Sequence, residues 1–325
     1  MHILVIGGAG MVGRKLIERL ARDGRLGGKP ITRITAHDVV TPKPPEAPFP
    51  IDTRVSDISV PGEAAALVAD RPDVILHLAA IVSGEAEADF EKGYRINLDG
   101  TRHLFDAVRV MEGYTPRLVF TSSIAVFGAP FPEAIPDEYF HTPLTSYGTQ
   151  KAMGELLLAD YTRRGFFDGI GIRLPTICVR PGLPNKAASG FFSGIIREPL
   201  AGQEAILPVS EDVMHWHASP RSAVGFLIHA ATLDGASVGT RRNLTMPGLA
   251  VTVGEQIEAL RKVAGDKAVA RIKKVPDPVI ETIVSGWPRK FDAARATALG
   301  FKAEGSFEEI IRIHIEDELG GKIAD

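Results

Sequence analysis

What most narrows the fold lies at the start of the chain. A short apolar run, HILVI (residues 2–6), leads directly into GGAGMVG (residues 7–13). Helical periodicity follows, with Val12, Leu16, Ile17 and Leu20 on one face of an expected helix over 11–22. Glycines between a buried strand and a helix allow a tight turn, close approach of backbone to a pyrophosphate, and close helix–strand packing. The helix N-terminus adds N–H donors and partial positive charge for the phosphates. The segment therefore predicts a dinucleotide site, the bland alternative being a glycine-rich turn without a ligand.

The pattern continues as alternating strands and helices. Strands are expected at 31–38, 53–57, 74–80, 117–122 and 170–174, and helices at 62–70, 97–111 and 147–163. Pro42, Pro44 and Pro45 make 41–50 a loop. This order implies βαβ units, hence a doubly wound parallel α/β sheet of Rossmann type with helices on both faces. After about residue 180 the alternation fails, and helices at 253–263 and 307–318 are separated by irregular chain. The expectation is a cofactor domain over 1–178, with a return segment near 215–245, and a smaller substrate lobe over 179–325.

Composition removes several classes of function. With 45% hydrophobic and 24% charged residues, the 325-residue chain can bury a sizeable core. Its net charge of −3, without long single-sign blocks, gives no reason to expect a nucleic-acid partner. The single cysteine, Cys178, excludes an intramolecular disulfide and a CxxC motif. The most apolar stretch, 74–82, is far short of the ~20 residues that span a bilayer. With the first strand almost at the initiator methionine, a cytoplasmic protein that does not enter the membrane is expected.

Three further signals carry chemistry. Asp38 ends the second expected strand, where a carboxylate accepts from the ribose hydroxyls and repels a 2′-phosphate, and Val39 and Val40 follow it rather than arginine. NAD is thus favoured over NADP. Tyr147 and Lys151 stand four apart in a helical stretch, so the ammonium can lie beside the phenol. A free phenol titrates near ~10, and a neighbouring cation brings its deprotonation within reach of neutral pH. Alone, such a pair can equally be a surface contact. Thr121, Ser122 and Ser123 close a strand at the end where ligands bind in open α/β sheets, and a hydroxyl there can polarise a C–O bond, although serines also commonly cap turns.

Together these residues resemble the extended short-chain dehydrogenase/reductase family, also called the NAD-dependent epimerase/dehydratase family. The matching features are the 7–13 loop, Asp38, Asp57-Ile58, His77-Leu78-Ala79-Ala80, NLDGT (97–101), SSIAVFG (122–128) and Tyr147 with Lys151, in the family's order. WPRKFD (287–292) and Leu299-Gly300 also resemble its C-terminal pattern. The resemblance implies that Tyr147 is the acid/base, that Lys151 lowers its pKa and holds the nicotinamide ribose, and that Ser123 is the catalytic hydroxyl. It places Gly7, Gly10, Met11, Val12 and Gly13 along the pyrophosphate and Asp57 and Ile58 beside adenine. Leu78, Ala79, Ala80, Asn97 and Ser122 fall on the ribose and phosphate path, and Pro175 and Thr176 near the carboxamide. It also implies a homodimer through the 97–111 and 147–163 helices. Phe127 replaces a common tyrosine, and Met11-Val12 a common Phe-Ile.

Epimerases, dehydratases and dehydrogenases share this family. Ile124-Ala125 stands where the dehydratases carry Asp-Glu, which argues against dehydration of a nucleotide sugar. Residues 81–90 and 180–189 resemble a narrower group, which oxidises the 2-hydroxyl of a four-carbon sugar acid such as D-erythronate. On that reading Asn185 and Lys186 anchor the substrate carboxylate, with Arg180 and Arg197 as rivals, Ser83 contacts a hydroxyl and Trp216 closes the pocket or simply packs in the core. His215, His217 and Asp212 make a poor metal set, so no metal is expected. Glu85, Glu87, Asp89 and Glu91 read as a solvated face. The alternatives are an L-threonine-type dehydrogenase, a nucleotide-sugar 4-epimerase, and an NAD-sensing regulator without catalysis.

Overall fold

The computed structural model describes residues 1–182 and 188–324. Its centre is a seven-stranded sheet built from β1 (His2–Ile6), β2 (Arg33–Asp38), β3 (Ile51–Val55), β4 (Val74–His77), β5 (Arg117–Ser123), β6 (Asp168–Leu174) and a late strand at Asn243–Thr245. The order across the sheet is β3-β2-β1-β4-β5-β6 followed by the late strand, and every neighbouring pair is parallel. The chain thus reverses direction across the sheet between β1 and β4, the switch point at which such sheets bind dinucleotides.

Both faces are covered, as the near-continuous apolar strands require. Along β1, Ile3 and Val5 join the core beneath α1 (Met11–Asp23), while Leu4 and Ile6 join the opposite one. In β5, Val119 faces the first side and Leu118 and Phe120 the second. The second side is closed by α2 (Gly100–Arg109) and α3 (Ser146–Arg163). A helix at Pro220–Thr232 packs beside α1 and brings the chain back to add the late strand. A third core, with Phe192, Ile195, Ile196, Leu260, Ile310 and Ile311, organises the C-terminal part. No helix among the described residues is long and apolar enough to cross a membrane.

Several expected boundaries move for identifiable reasons. The 74–80 strand ends at His77, because the Leu78 and Ala79 amides both donate to the Ile6 carbonyl and turn the chain over β1. The 53–57 strand lies over Ile51–Val55, where Ile51 pairs with Ile34. The 97–111 helix is a π-helical turn at Tyr94–Asp99 followed by α2. Such i→i+5 turns re-aim side chains and are frequent at functional sites; this one carries Asn97.

Candidate active site

The loop after β1 is held from two sides. The Gly7 and Gly8 amides donate to the His37 carbonyl, and the Ala9 amide donates to Asp38 Oδ2 at 3.0 Å. Gly7 has φ +95°, and a Cβ on it would lie 2.7 Å from the Ala79 amide nitrogen. A Cβ on Gly13 would lie 2.1 Å from the Gly7 carbonyl oxygen, so α1 approaches the loop as only glycine allows. The first-turn amides of Met11 and Val12 have no partner within α1 and face outward from its N-terminus. This cradle, with Asp38 beside it and the half-buried Leu78, Ala79 and Ala80 across the crevice, fits a dinucleotide pyrophosphate and ribose.

Other residues expected along the cofactor also make contacts within the protein. Asn97 is 2% exposed; its Oδ1 accepts from the Ile81 amide (2.9 Å), and its Nδ2 donates to the Ile81 carbonyl (3.1 Å) and to Gln150 Oε1 (2.8 Å). It thus ties the chain after β4 to α3. The Ser122 hydroxyl points into the interior and donates to Glu155 at 2.5 Å. Asp57 accepts from the Ser59 amide and hydroxyl and from Arg95, and Ile58 is buried against Gly100.

At the carboxyl end of β5 the structure brings Ser123, Tyr147 and Lys151 together. Thr145 caps α3, its hydroxyl accepting from the Gly148 amide at 3.0 Å. Glu87 accepts from the Ser146 amide at 2.9 Å and anchors the same turn. The expected acidic face is therefore engaged: Glu85 pairs with Lys92, and Asp89 caps the helix at Phe90–Gly93. The Ser123 hydroxyl, which accepts from the Ala125 amide at 3.1 Å, also eases ionisation of Tyr147, although burial is the larger influence and pushes the phenol up to about 12. Lys151, 3% exposed, donates from Nζ to the Thr121 carbonyl at 2.8 Å and lies 5.8 Å from the Tyr147 ring centroid. Burial lowers it to about 7, partly opposed by the negative charge of Glu155.

Glu155, whose charge acts on Lys151, is the side chain beside the site that sequence reasoning did not single out. It is completely buried one helical turn beyond Lys151 and accepts from Arg173 Nε and Nη2, from His141 Nε2 and from Ser122. Burial raises its pKa, but the Arg173 charge and the His141 and Arg173 hydrogen bonds prevail and hold it at about 2. The i, i+4, i+8 spacing of Tyr147, Lys151 and Glu155 was the available signal.

The remaining expected residues separate. Ser83 begins the helix at Ser83–Ala88. Asn185 and Lys186 lie outside the described residues. Arg197 pairs with Glu198 and donates to the Arg180 carbonyl, whereas the Arg180 guanidinium donates to Ser189 and has no carboxylate partner among the described residues. Trp216 is core: its Nε1 donates to the Met246 carbonyl and its ring packs near Phe291. Pro175 precedes Thr176, which opens β7 (Thr176–Ile177), and Thr176 Oγ1 lies 2.7 Å from His215 Nε2.

The model of the NAD dependent epimerase/dehydratase family matches residues 3–217, and the chain belongs to that family. It is an NAD-dependent oxidoreductase. A D-erythronate dehydrogenase of Cupriavidus necator is 46% identical, with 98% of each chain covered. A D-erythronate dehydrogenase of Haemophilus influenzae is 40% identical over 98% of this chain and 100% of its own. A crystal structure described as the nucleoside-diphosphate-sugar epimerase from Agrobacterium tumefaciens superposes with a TM-score of 0.98 at 68% identity, covering 100% of this chain and 96% of that one.

Proposed function

We propose that the protein oxidises the 2-hydroxyl of a four-carbon sugar acid, D-erythronate to 2-oxo-D-erythronate. The observation that carries this reading is the meeting of Ser123, Tyr147 and Lys151 beside the glycine cradle, in a chain whose full-length relatives are named for that substrate. Ser123 hydrogen-bonds the substrate C2 oxygen and orients its proton toward Tyr147. Tyr147, as phenolate, takes that proton as the carbonyl forms. Bound NAD supplies the acceptor for the C2 hydride and a positive ring near the phenol. Lys151 supplies the second positive charge, and each unit by which the phenol falls from about 12 needs about 1.4 kcal/mol of such stabilisation.

Gly7, Gly10, Met11, Val12 and Gly13 hold the pyrophosphate and Asp38 the adenosine ribose, while Pro175 and Thr176 lie by the carboxamide. Asn97 acts through Ile81 and Gln150 as a positioning residue. For the substrate carboxylate Asn185 and Lys186 are the first assignment and Ser83 takes a hydroxyl. Between the two arginines Arg180 is favoured, because Arg197 is already neutralised by Glu198. A dimer through α2 and α3 would cover Leu156, 62% exposed on α3.

The name of the Agrobacterium structure favours a second reading, epimerisation of a nucleotide sugar, in which no NADH accumulates. Purified protein is assayed at 340 nm with NAD and D-erythronate, L-erythronate, D-threonate, L-threonate, L-threonine or UDP-galactose. D-Erythronate is expected to give turnover that Tyr147→Phe lowers by ~10²–10⁴-fold. Turnover of L-threonine alone, or conversion of UDP-galactose without NADH, refutes the assignment.

A further inference from the structure

His215 lies on β8 (Met214–Ala218), which pairs in parallel with β7, and it is 2% exposed. Its Nδ1 is 2.8 Å from the Pro288 carbonyl oxygen, and its Nε2 is 2.7 Å from Thr176 Oγ1. A carbonyl oxygen only accepts, so Nδ1 carries the proton and, in the neutral ring, Nε2 carries a lone pair. The Thr176 hydroxyl must then donate to Nε2. Burial lowers the imidazole pKa to about 4, despite the Pro288 hydrogen bond, so the neutral ring persists at working pH. The ring plane is set by Phe192, stacked at 5.2 Å and 5°, and by Trp287 at 5.4 Å. The ring cannot turn to offer its N–H to Thr176 without losing Pro288 and these aromatic neighbours.

With its one proton committed, the half-buried Thr176 hydroxyl presents its oxygen only as an acceptor. Thr176 stands two residues beyond Leu174, the register partner of Ser123, and so lies past the carboxyl ends of β5 and β6. We propose that His215 is a positioning residue that makes Thr176 Oγ1 an obligate hydrogen-bond acceptor for the amino group of the nicotinamide carboxamide. This rests on the placement of Thr176 by the carboxamide in the proposed function. The relay runs from Pro288 through His215 to Thr176, so the late WPRKFD segment acts on the cofactor end of the site without touching it.

The test measures cofactor binding by calorimetry and needs no substrate, so its failure is distinguishable from failure of the erythronate assignment. NADH is compared with reduced 3-acetylpyridine adenine dinucleotide, in which a methyl replaces the amino group and the carbonyl remains. Wild type is expected to bind NADH roughly 3- to 10-fold more tightly, the effect of one hydrogen bond. Thr176→Val and His215→Asn, the latter retaining a donor for Pro288 but lacking the Nε2 acceptor, are expected to lose that preference by weakening NADH alone. Thr176→Ser keeps the hydroxyl and should keep the preference. Equal weakening for both cofactors means a purely structural role and overturns the proposal, as does a wild type that binds both cofactors equally. Should His215→Asn fold poorly, Thr176→Val against Thr176→Ser decides the matter.

Discussion

Glu155→Gln is the perturbation that most directly probes the interior of the site. It removes one charge from a completely buried carboxylate, keeps its shape, and leaves Arg173, 5% exposed, without its principal counter-ion. Losing one member of such a pair costs about 3–5 kcal/mol. The lower end applies, because the amide oxygen can still accept one hydrogen bond and Asp137 remains 3.9 Å from Arg173. The charge of Arg173 holds the carboxyl well below its free value, which is the same stabilisation expressed as a pH dependence. Urea unfolding followed by tryptophan fluorescence should therefore show the variant less stable by about 3 kcal/mol, a midpoint shift on the order of 1 M. The folded-state pKa is depressed, so the stabilisation is complete above pH 4.5 and is lost as pH falls toward 2. The penalty for Glu155→Gln should accordingly be constant from pH 8 to about 5 and shrink below that. Glu155 also supports the ammonium form of Lys151, so the alkaline limb of kcat/KM should move to lower pH in the variant. A penalty below about 1 kcal/mol, or one that grows on acidification, would refute the account.

Three further perturbations follow from the same geometry. Gly13→Ala places a methyl 2.1 Å from the Gly7 carbonyl oxygen, so NADH titration should show affinity lowered by at least about 10-fold, together with a lower melting temperature. Asp38→Ala removes the carboxylate that ends β2, and the ratio of kcat/KM for NAD over NADP should fall by about 10-fold or more; an unchanged ratio would remove Asp38 from the cofactor site. Asn97→Ala strands the Ile81 amide and carbonyl and the Gln150 side-chain oxygen, with an expected cost of about 2–4 kcal/mol in chemical denaturation and a rise in KM for NAD.

The local features of this protein were legible in the chain. The glycine spacing, the apolar strands and the Tyr147–Lys151 offset each depend on residues within a few positions of one another, where backbone sterics and helical period dictate the geometry. Even the parallel sheet follows from local alternation, because strands joined through helices return in the same direction. What lies across the fold was not legible. Arg173 meets Glu155 at a separation of 18 residues, His215 reaches Thr176 across 39 and Pro288 across 73, and Glu87 reaches Ser146 across 59. No periodicity encodes those meetings; they arise when helices are laid on the sheet and each buried polar group must find a partner. The same requirement turned Ser122 inward to Glu155 and tied Asn97 to Ile81. Sequence by itself determined the kind of fold, the glycine turn after β1 and the placing of Tyr147 beside Lys151. Tertiary structure alone decided which buried polar side chains pair with one another, because burial makes an unpaired donor or acceptor too costly to leave pointing at random.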